Sequence, residues 1–282
     1  MQDNSVYRAL ARQALSGKWV MASVITLVMT VIMGLPSQFS NGFYRLAHTF
    51  EQQGYEDAQM LFLGIGGIVG LVALVWHVFV LPMEKSYSQV FLTNAREGKL
   101  DFGTLFTSIK DNYLHAVGTL VLCEIYVFFW VWICSAVAII AALVLGVFAA
   151  VAASGSMASA MSTMTMGSVA MILFFVVALP LYLVAIIVAV MQALKYAMVP
   201  YLLCDYPEMS AKETLEMSAS LMRGYRGKLF LLQLSFIGWY LLGMLCCCVG
   251  IYPASAYAKA AEAAFYNDRI MSANLEKQQN PY

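Results

Sequence analysis

Charge is scarce in this chain: Asp, Glu, Lys and Arg make up 11% of its 282 residues and sum to zero. A neutral balance offers no electrostatic grip on a polyanion, so no nucleic-acid partner is expected. The same scarcity, set beside 61% hydrophobic residues and a mean hydropathy of +0.74, excludes an ordinary soluble globule. Also missing is any Pro-, Gly- or Ser-rich linker at which to divide the chain, so 1–282 reads as a single integral membrane domain. No small-x-small cleavage site follows the first apolar run, which ends in Gly34-Leu35-Pro36-Ser37, and that run is expected to be an uncleaved signal anchor. Enzyme signatures are lacking too. There is no H-E-x-x-H and no G-x-S-x-G, and Gly224 to Leu229 has neither the spacing nor the Ser or Thr of a phosphate-binding loop. The chain is therefore expected to be no enzyme, with no catalytic residue, no cofactor and no metal.

What the chain does have is repeated apolar runs approaching the roughly 20 residues that cross a bilayer. These predict an all-α, polytopic transmembrane bundle of about six spans, near 19–35, 60–81, 115–145, 167–196, 229–245 and 248–266. Alternating the spans leaves fifteen of the sixteen Lys and Arg on one side and only Arg45 on the other. Short cytoplasmic loops retain Lys and Arg, so both termini are expected in the cytoplasm and the protein in the cytoplasmic membrane.

Three inner segments look amphipathic and interfacial. Asp3 to Gly17 has helical periodicity with Val6, Leu10 and Leu15 as its apolar face, leading to Lys18 and Trp19 at headgroup level. The segment after Pro82 interleaves Lys85, Arg96 and Lys99 with Tyr87, Val90, Phe91 and Leu92. The third, Pro200 to Lys228, is the most polar, and Ser210-Ala-Lys-Glu213 predicts a capping box opening a helix from Ala211 to Met222.

Outside these, Pro36 to Gln59 reads as a polar outer loop, and Gly146 to Met166 as an uncharged outer connection. Gly66 and Gly70, four apart, predict close helix packing in the second span. Pro180 predicts a kink in the fourth. The last hairpin shares fewer than forty residues between two spans; without it there would be five spans, and Lys259, Arg269 and Lys277 would lie outside. Gly-Lys followed by an apolar residue recurs at Gly17, Gly98 and Gly227, either as a three-fold repeat or as a shared helix-ending Gly beside a membrane-flanking Lys.

The first polar position of interest is Glu124, because an ionisable group within a span is costly and is by default a functional candidate. Gln192, Lys195, Lys259 and Glu262 are its candidate partners; a satisfied interhelical hydrogen bond is the plainer use and a proton relay the sharper one. His77 and His115 are single histidines without spaced partners, read as packing or interfacial residues. Cys246-Cys247-Cys248 would point in three directions on a helix and cannot build one tetrahedral site. The Met cluster around Met157, Met161, Met164 and Met166 reads as adaptable apolar packing. Arg223, Arg226 and Lys228 are the candidate contacts to membrane lipid, or to a protein partner or second copy.

Several runs carry a resemblance. Tyr196 to Pro207, Ser210-Ala211 through Leu221-Met-Arg-Gly224, Leu234 to Trp239, Ala263-Ala-Phe-Tyr266 and the N-terminal Ala11-Arg12-Gln-Ala14-Leu15-x-Gly17-x-Trp19 resemble the bacterial membrane family filed as domain of unknown function 975. The Leu-Met-Arg-Gly portion also looks like the membrane domain attached to some glycerophosphodiester phosphodiesterases. The resemblance implies a six-helix bacterial integral membrane protein without an established activity, so it implies no catalytic residue. On the residues alone, the expected role is a non-enzymatic membrane component, with a solute or lipid transporter using Glu124 as the alternative.

Overall fold

A computed structural model of the protein describes residues 3–109, 112–154, 180, 182–246 and 249–279. Every regular element among them is helical. By contacts the chain forms two compact units: Met1–Leu122 with Ala197–Tyr282, and Cys123–Tyr196. Five helices among the described residues are long and apolar enough to cross a membrane, with candidate spans Trp19–Gln52, Glu56–Val80, Tyr113–Ile133, Tyr182–Asp205 and Arg226–Leu245.

Helix α1 (Asn4–Leu15) buries Tyr7, Ala11 and Leu15, a stripe with one residue every four. Of the expected apolar face Leu15 belongs to this stripe, whereas Val6 is 37% and Leu10 41% exposed. Ala11 decides between the two, because its small side chain lets the final helix approach while Tyr7 presents an apolar ring with a polar tip. Gly17, at φ +75°, turns the chain into α2 (Trp19–Gln52).

That second helix overturns the reading of Pro36 to Gln52 as loop. It runs unbroken for 34 residues, about 50 Å at 1.5 Å rise. Proline removes one donor from a helix and leaves the carbonyl four residues earlier without its partner. Here that carbonyl belongs to Ile32, and the Trp76 indole N–H donates to it at 2.8 Å. A neighbouring helix thus supplies the bond Pro36 cannot make.

Trp76 lies on α3 (Glu56–Val80), which pairs with α2 along its length. Gly66 faces Phe43 and Tyr44, Gly70 faces the Ser40 hydroxyl, and that hydroxyl donates to the Gly66 carbonyl at 3.0 Å. The close packing expected at Gly66 and Gly70 is present. Beyond it, the Phe62 ring stacks against Phe43 and Phe50 and extends the hairpin through the segment read as loop, leaving only a turn at Gly54.

Helix α4 (Met83–Glu97) ends at Gly98 in the left-handed conformation. It buries Val90, Phe91 and Leu92 together with Lys85, Ser86, Ser88 and Asn94, so its polar side is partly core. A 3-10 helix (Gly103–Ile109) packs on it. Helix α5 (Tyr113–Ser154) continues past the expected end near Leu145, because no proline or charge interrupts 146–154. The rest of the expected connection, and the start of the fourth span, lie outside the described residues, as do the neighbours of Pro180.

A helical segment, α6 (182–196), precedes α7 (Val199–Asp205). The third interfacial segment was expected to begin at Pro200, yet Val199 to Leu203 are all buried. Their run of large apolar side chains outweighs the polar sequence that follows. Helix α8 (Ala211–Leu221) carries the expected capping box: Ser210 Oγ accepts from the Glu213 N–H, and the Glu213 carboxylate accepts from the Ser210 N–H at 3.1 Å.

Helices α9 (Arg226–Leu234) and α10 (Ile237–Leu245) make up the last of the five candidate spans. Gly243 then meets Gly250 backbone to backbone; a Cβ on Gly243 would lie 2.6 Å from the Gly250 carbonyl carbon. This contact folds α10 back on α11 (Ile251–Gln279). The expected sixth span at 248–266 falls within that helix, which is not among the five long apolar candidates, its alanine-rich run being interrupted by Lys259 and Glu262. α11 is the central packing helix of its unit. Ala254, Ala256, Ala260, Ala261 and Ala263 are buried, and α1, α2, α4 and α10 pack against it. Alanines allow that many neighbours to come close.

Candidate functional site

Polar chemistry concentrates on one turn and a half of α11, where five consecutive residues each reach a different part of the unit. Phe265 packs edge-on against the Tyr7 ring, with centroids 5.4 Å apart. Tyr266 stacks on Tyr201 and donates to Asp205 Oδ2 at 2.9 Å. Asn267 accepts from Arg96 Nε at 2.8 Å, and Asp268 accepts from the Tyr7 hydroxyl at 2.6 Å. Arg269, 4% exposed, donates to the Leu221 carbonyl and lies 3.7 Å over the Tyr225 ring. These middle turns of α11 therefore fix α1, α4, α7 and the α8–α9 connection to one another.

Arg96 is the strongest tie. Its two terminal nitrogens donate to the two Asp205 oxygens at 2.7 and 2.8 Å, the planar fork that a guanidinium and a carboxylate favour. The hydrogen-bonded carboxylate lifts the Arg96 guanidinium above even its ordinary range, so it stays charged.

Beside this network lies a cavity of about 810 Å³ between α1, α4 and α11. Its polar lining is Gln13, Lys18, Asn94, Arg96, Asn267 and Asp268, and Leu10, Ala14, Ala260, Ala264 and Met271 are among its apolar walls. Lys18 Nζ donates to Asn94 Oδ1 at 3.2 Å and to the Gly98 carbonyl. Asn94 in turn donates to the Ala14 carbonyl at 3.0 Å, which holds α1 against α4. With Asn94 buried and Lys18, Asn267 and Asp268 half-buried, these groups are suited to holding a small polar ligand.

The polar positions singled out in the sequence fall in two places. Glu124, Gln192 and Lys195 belong to the unit Cys123–Tyr196, where Glu124 is half-buried, Gln192 Oε1 is buried without a hydrogen bond, and Lys195 Nζ lies 4.7 Å from the Tyr196 ring centroid. Lys259 and Glu262 belong to the other unit and pair with each other at 3.5 Å, with Lys259 also over the Tyr201 and Tyr87 rings. Of the basic candidates, Arg223 is exposed and Arg226 and Lys228 are half-buried. Asn4 donates to the Lys228 carbonyl at 3.3 Å, bringing the start of α1 to the start of α9.

Arg96, Asp205 and Asp268 were not singled out as site residues. Arg96 looked like any interfacial cation, and its partner Asp205 is 109 positions away. Asp205 and Tyr266 did stand in the runs carrying the family resemblance, the one signal that pointed to them.

No curated protein matches the chain, and no solved structure matches it. A family profile does, described as "Protein of unknown function (DUF975)", over residues 1–274. With nearly its whole length matched, the chain belongs to that family.

Proposed function

We propose that this protein is a non-enzymatic, multi-pass component of the bacterial cytoplasmic membrane, its termini cytoplasmic, which associates with anionic membrane lipid through Arg223, Arg226 and Lys228. One observation carries the reading: the Asn4 to Lys228 contact gathers α1, with Arg8 and Arg12, beside the Arg223–Lys228 segment at the start of an apolar span. Basic groups just inside a membrane are each attracted to anionic lipid by about 1 kcal/mol, and several together hold a preference for it. In the six-span alternation fifteen of the sixteen cations fall on the cytoplasmic side.

The test is the lipid that travels with the detergent-purified protein. Arg223→Glu with Arg226→Glu should lower the co-purified phosphatidylglycerol and cardiolipin relative to phosphatidylethanolamine. Unchanged lipid content would remove the reading, and loss of a protein band instead would assign the surface to a partner.

A further inference from the structure

The cavity between α1, α4 and α11 has a charge pattern that selects for one kind of ligand. Four ionised groups stand at or beside it: Lys18, Arg96, Asp205 and Asp268. Arg96 and Asp205 satisfy each other in a bidentate pair. Lys18 and Asp268 remain, and among the described residues both are bonded only to neutral groups, Lys18 to the Asn94 amide oxygen and the Gly98 carbonyl, Asp268 to the Tyr7 hydroxyl. A half-buried cation and a half-buried anion that line one cavity without an ion pair between them retain unmet charge at two separate points. A ligand with one sign alone would satisfy one point and repel the other. A zwitterion satisfies both.

We propose that this cavity binds the headgroup of a zwitterionic aminophospholipid, the phosphate at Lys18 and the ammonium at Asp268. The lipid source follows from the surroundings. Lys18 directly precedes Trp19, the first residue of the apolar helix α2. Leu10 and Met271, which line the cavity, are 41% and 66% exposed. Exposed apolar residues at the rim, together with a lysine at the start of a candidate membrane span, suit the glycerol and upper acyl carbons of a lipid rather than a water-soluble amine. The volume of about 810 Å³ lies in the range of small-molecule sites. Asp268 also discriminates between zwitterions. A primary ammonium donates hydrogen bonds to a carboxylate, while the quaternary ammonium of phosphatidylcholine has no N–H to donate.

This assignment rests on the lipid-association reading but uses different residues, so the two fail separately. The experiment titrates the whole purified protein with short-chain phosphatidylethanolamine, using short-chain phosphatidylcholine and soluble phosphoethanolamine as the other arms. The readout is ligand-dependent thermal stabilisation. The expected result is preference for phosphatidylethanolamine over both, weakened about tenfold by Lys18→Gln or Asp268→Asn, the loss of one charge-assisted hydrogen bond. Lys18 also holds the Gly98 carbonyl, so Ala14→Leu provides a second route: it fills the cavity, keeps both charges and should block binding. Equal affinity for the two lipids, or wild-type binding in the charge variants and in Ala14→Leu, overturns the proposal. Soluble phosphoethanolamine binding as tightly as the lipid overturns the lipid assignment in favour of a solute site. Arg223→Glu with Arg226→Glu should leave the phosphatidylethanolamine preference intact whatever it does to anionic lipid.

Discussion

Arg96 and Asp205 form a two-pronged ion pair across 109 residues, closing α4 on α7, with Tyr266 of α11 donating to the same carboxylate. The Arg96 side chain is 40% and that of Asp205 19% exposed, so solvent screens part of the attraction. Asp205→Asn should cost about 1–2 kcal/mol in unfolding free energy, more than an ordinary exposed pair, because Tyr266 loses a charged acceptor as well. Arg96→Gln in the same background should cost less than it does alone. A double-mutant cycle by denaturant unfolding in detergent measures the coupling, and strictly additive costs would show that the pair acts as two separate surface groups.

The Trp76 bond to Ile32 makes a second, sharper case. Trp76→Phe should destabilise the protein by about 0.5–1 kcal/mol, the usual worth of one such bond between apolar helices. With Pro36→Ala already present the backbone N–H of residue 36 can serve the Ile32 carbonyl, so the same tryptophan substitution should cost much less. Equal costs in the two backgrounds, read from thermal unfolding, would contradict the compensation.

At Gly243 the expected effect is steric. A methyl there would sit 2.6 Å from Gly250 backbone, which no rotamer change relieves. Gly243→Ala should lower stability by about 1–3 kcal/mol or prevent accumulation of folded protein. Gly238→Ala, in open space on the same helix, should be neutral or mildly stabilising, and it serves as the control in a fluorescence size-exclusion assay.

The Ser210 cap gives a pH dependence whose sign can be worked out. Hydrogen bonds from the Ser210 hydroxyl, and then from its backbone N–H, lower the Glu213 carboxyl below its ordinary value. A group lowered on folding stabilises above its unfolded pKa and loses that contribution as pH falls through the folded one. Ser210→Ala should therefore destabilise the protein at neutral pH and progressively less in acid. A gap between wild type and variant that stays constant from neutral to strongly acid pH would exclude the mechanism.

Glu124 separates the membrane-component reading from transport. Glu124→Gln should shift the melting temperature and leave proton-linked solute flux into proteoliposomes at background. Measurable flux in the wild type that this substitution abolishes would establish the protein as a transporter.

Features that depend on neighbouring residues in sequence were legible there. The capping box at Ser210 and Glu213 spans three positions, and the Gly66 and Gly70 face spans four, so each is complete in one short stretch. Pro36 misled because its helix is repaired by Trp76, 40 positions on, and a breaker rule knows only the local donor it removes. Lys259 and Glu262 could be seen as neighbours on a helix edge. That they pair with each other beneath two tyrosine rings depends on where α4 and α7 pack.

By itself the sequence determined the solvent this protein requires and the helical class it adopts, because hydropathy and charge asymmetry are sums over residues and do not depend on contacts. It also carried the family, through runs spread over nearly the whole chain. Only the tertiary structure decided that α11 is the helix on which α1, α2, α4 and α10 pack. The same packing left Lys18 and Asp268 lining one cavity, without charged partners among the described residues. Which charges are neutralised and which are left over follows from distances between remote residues, and those exist only once the chain has folded.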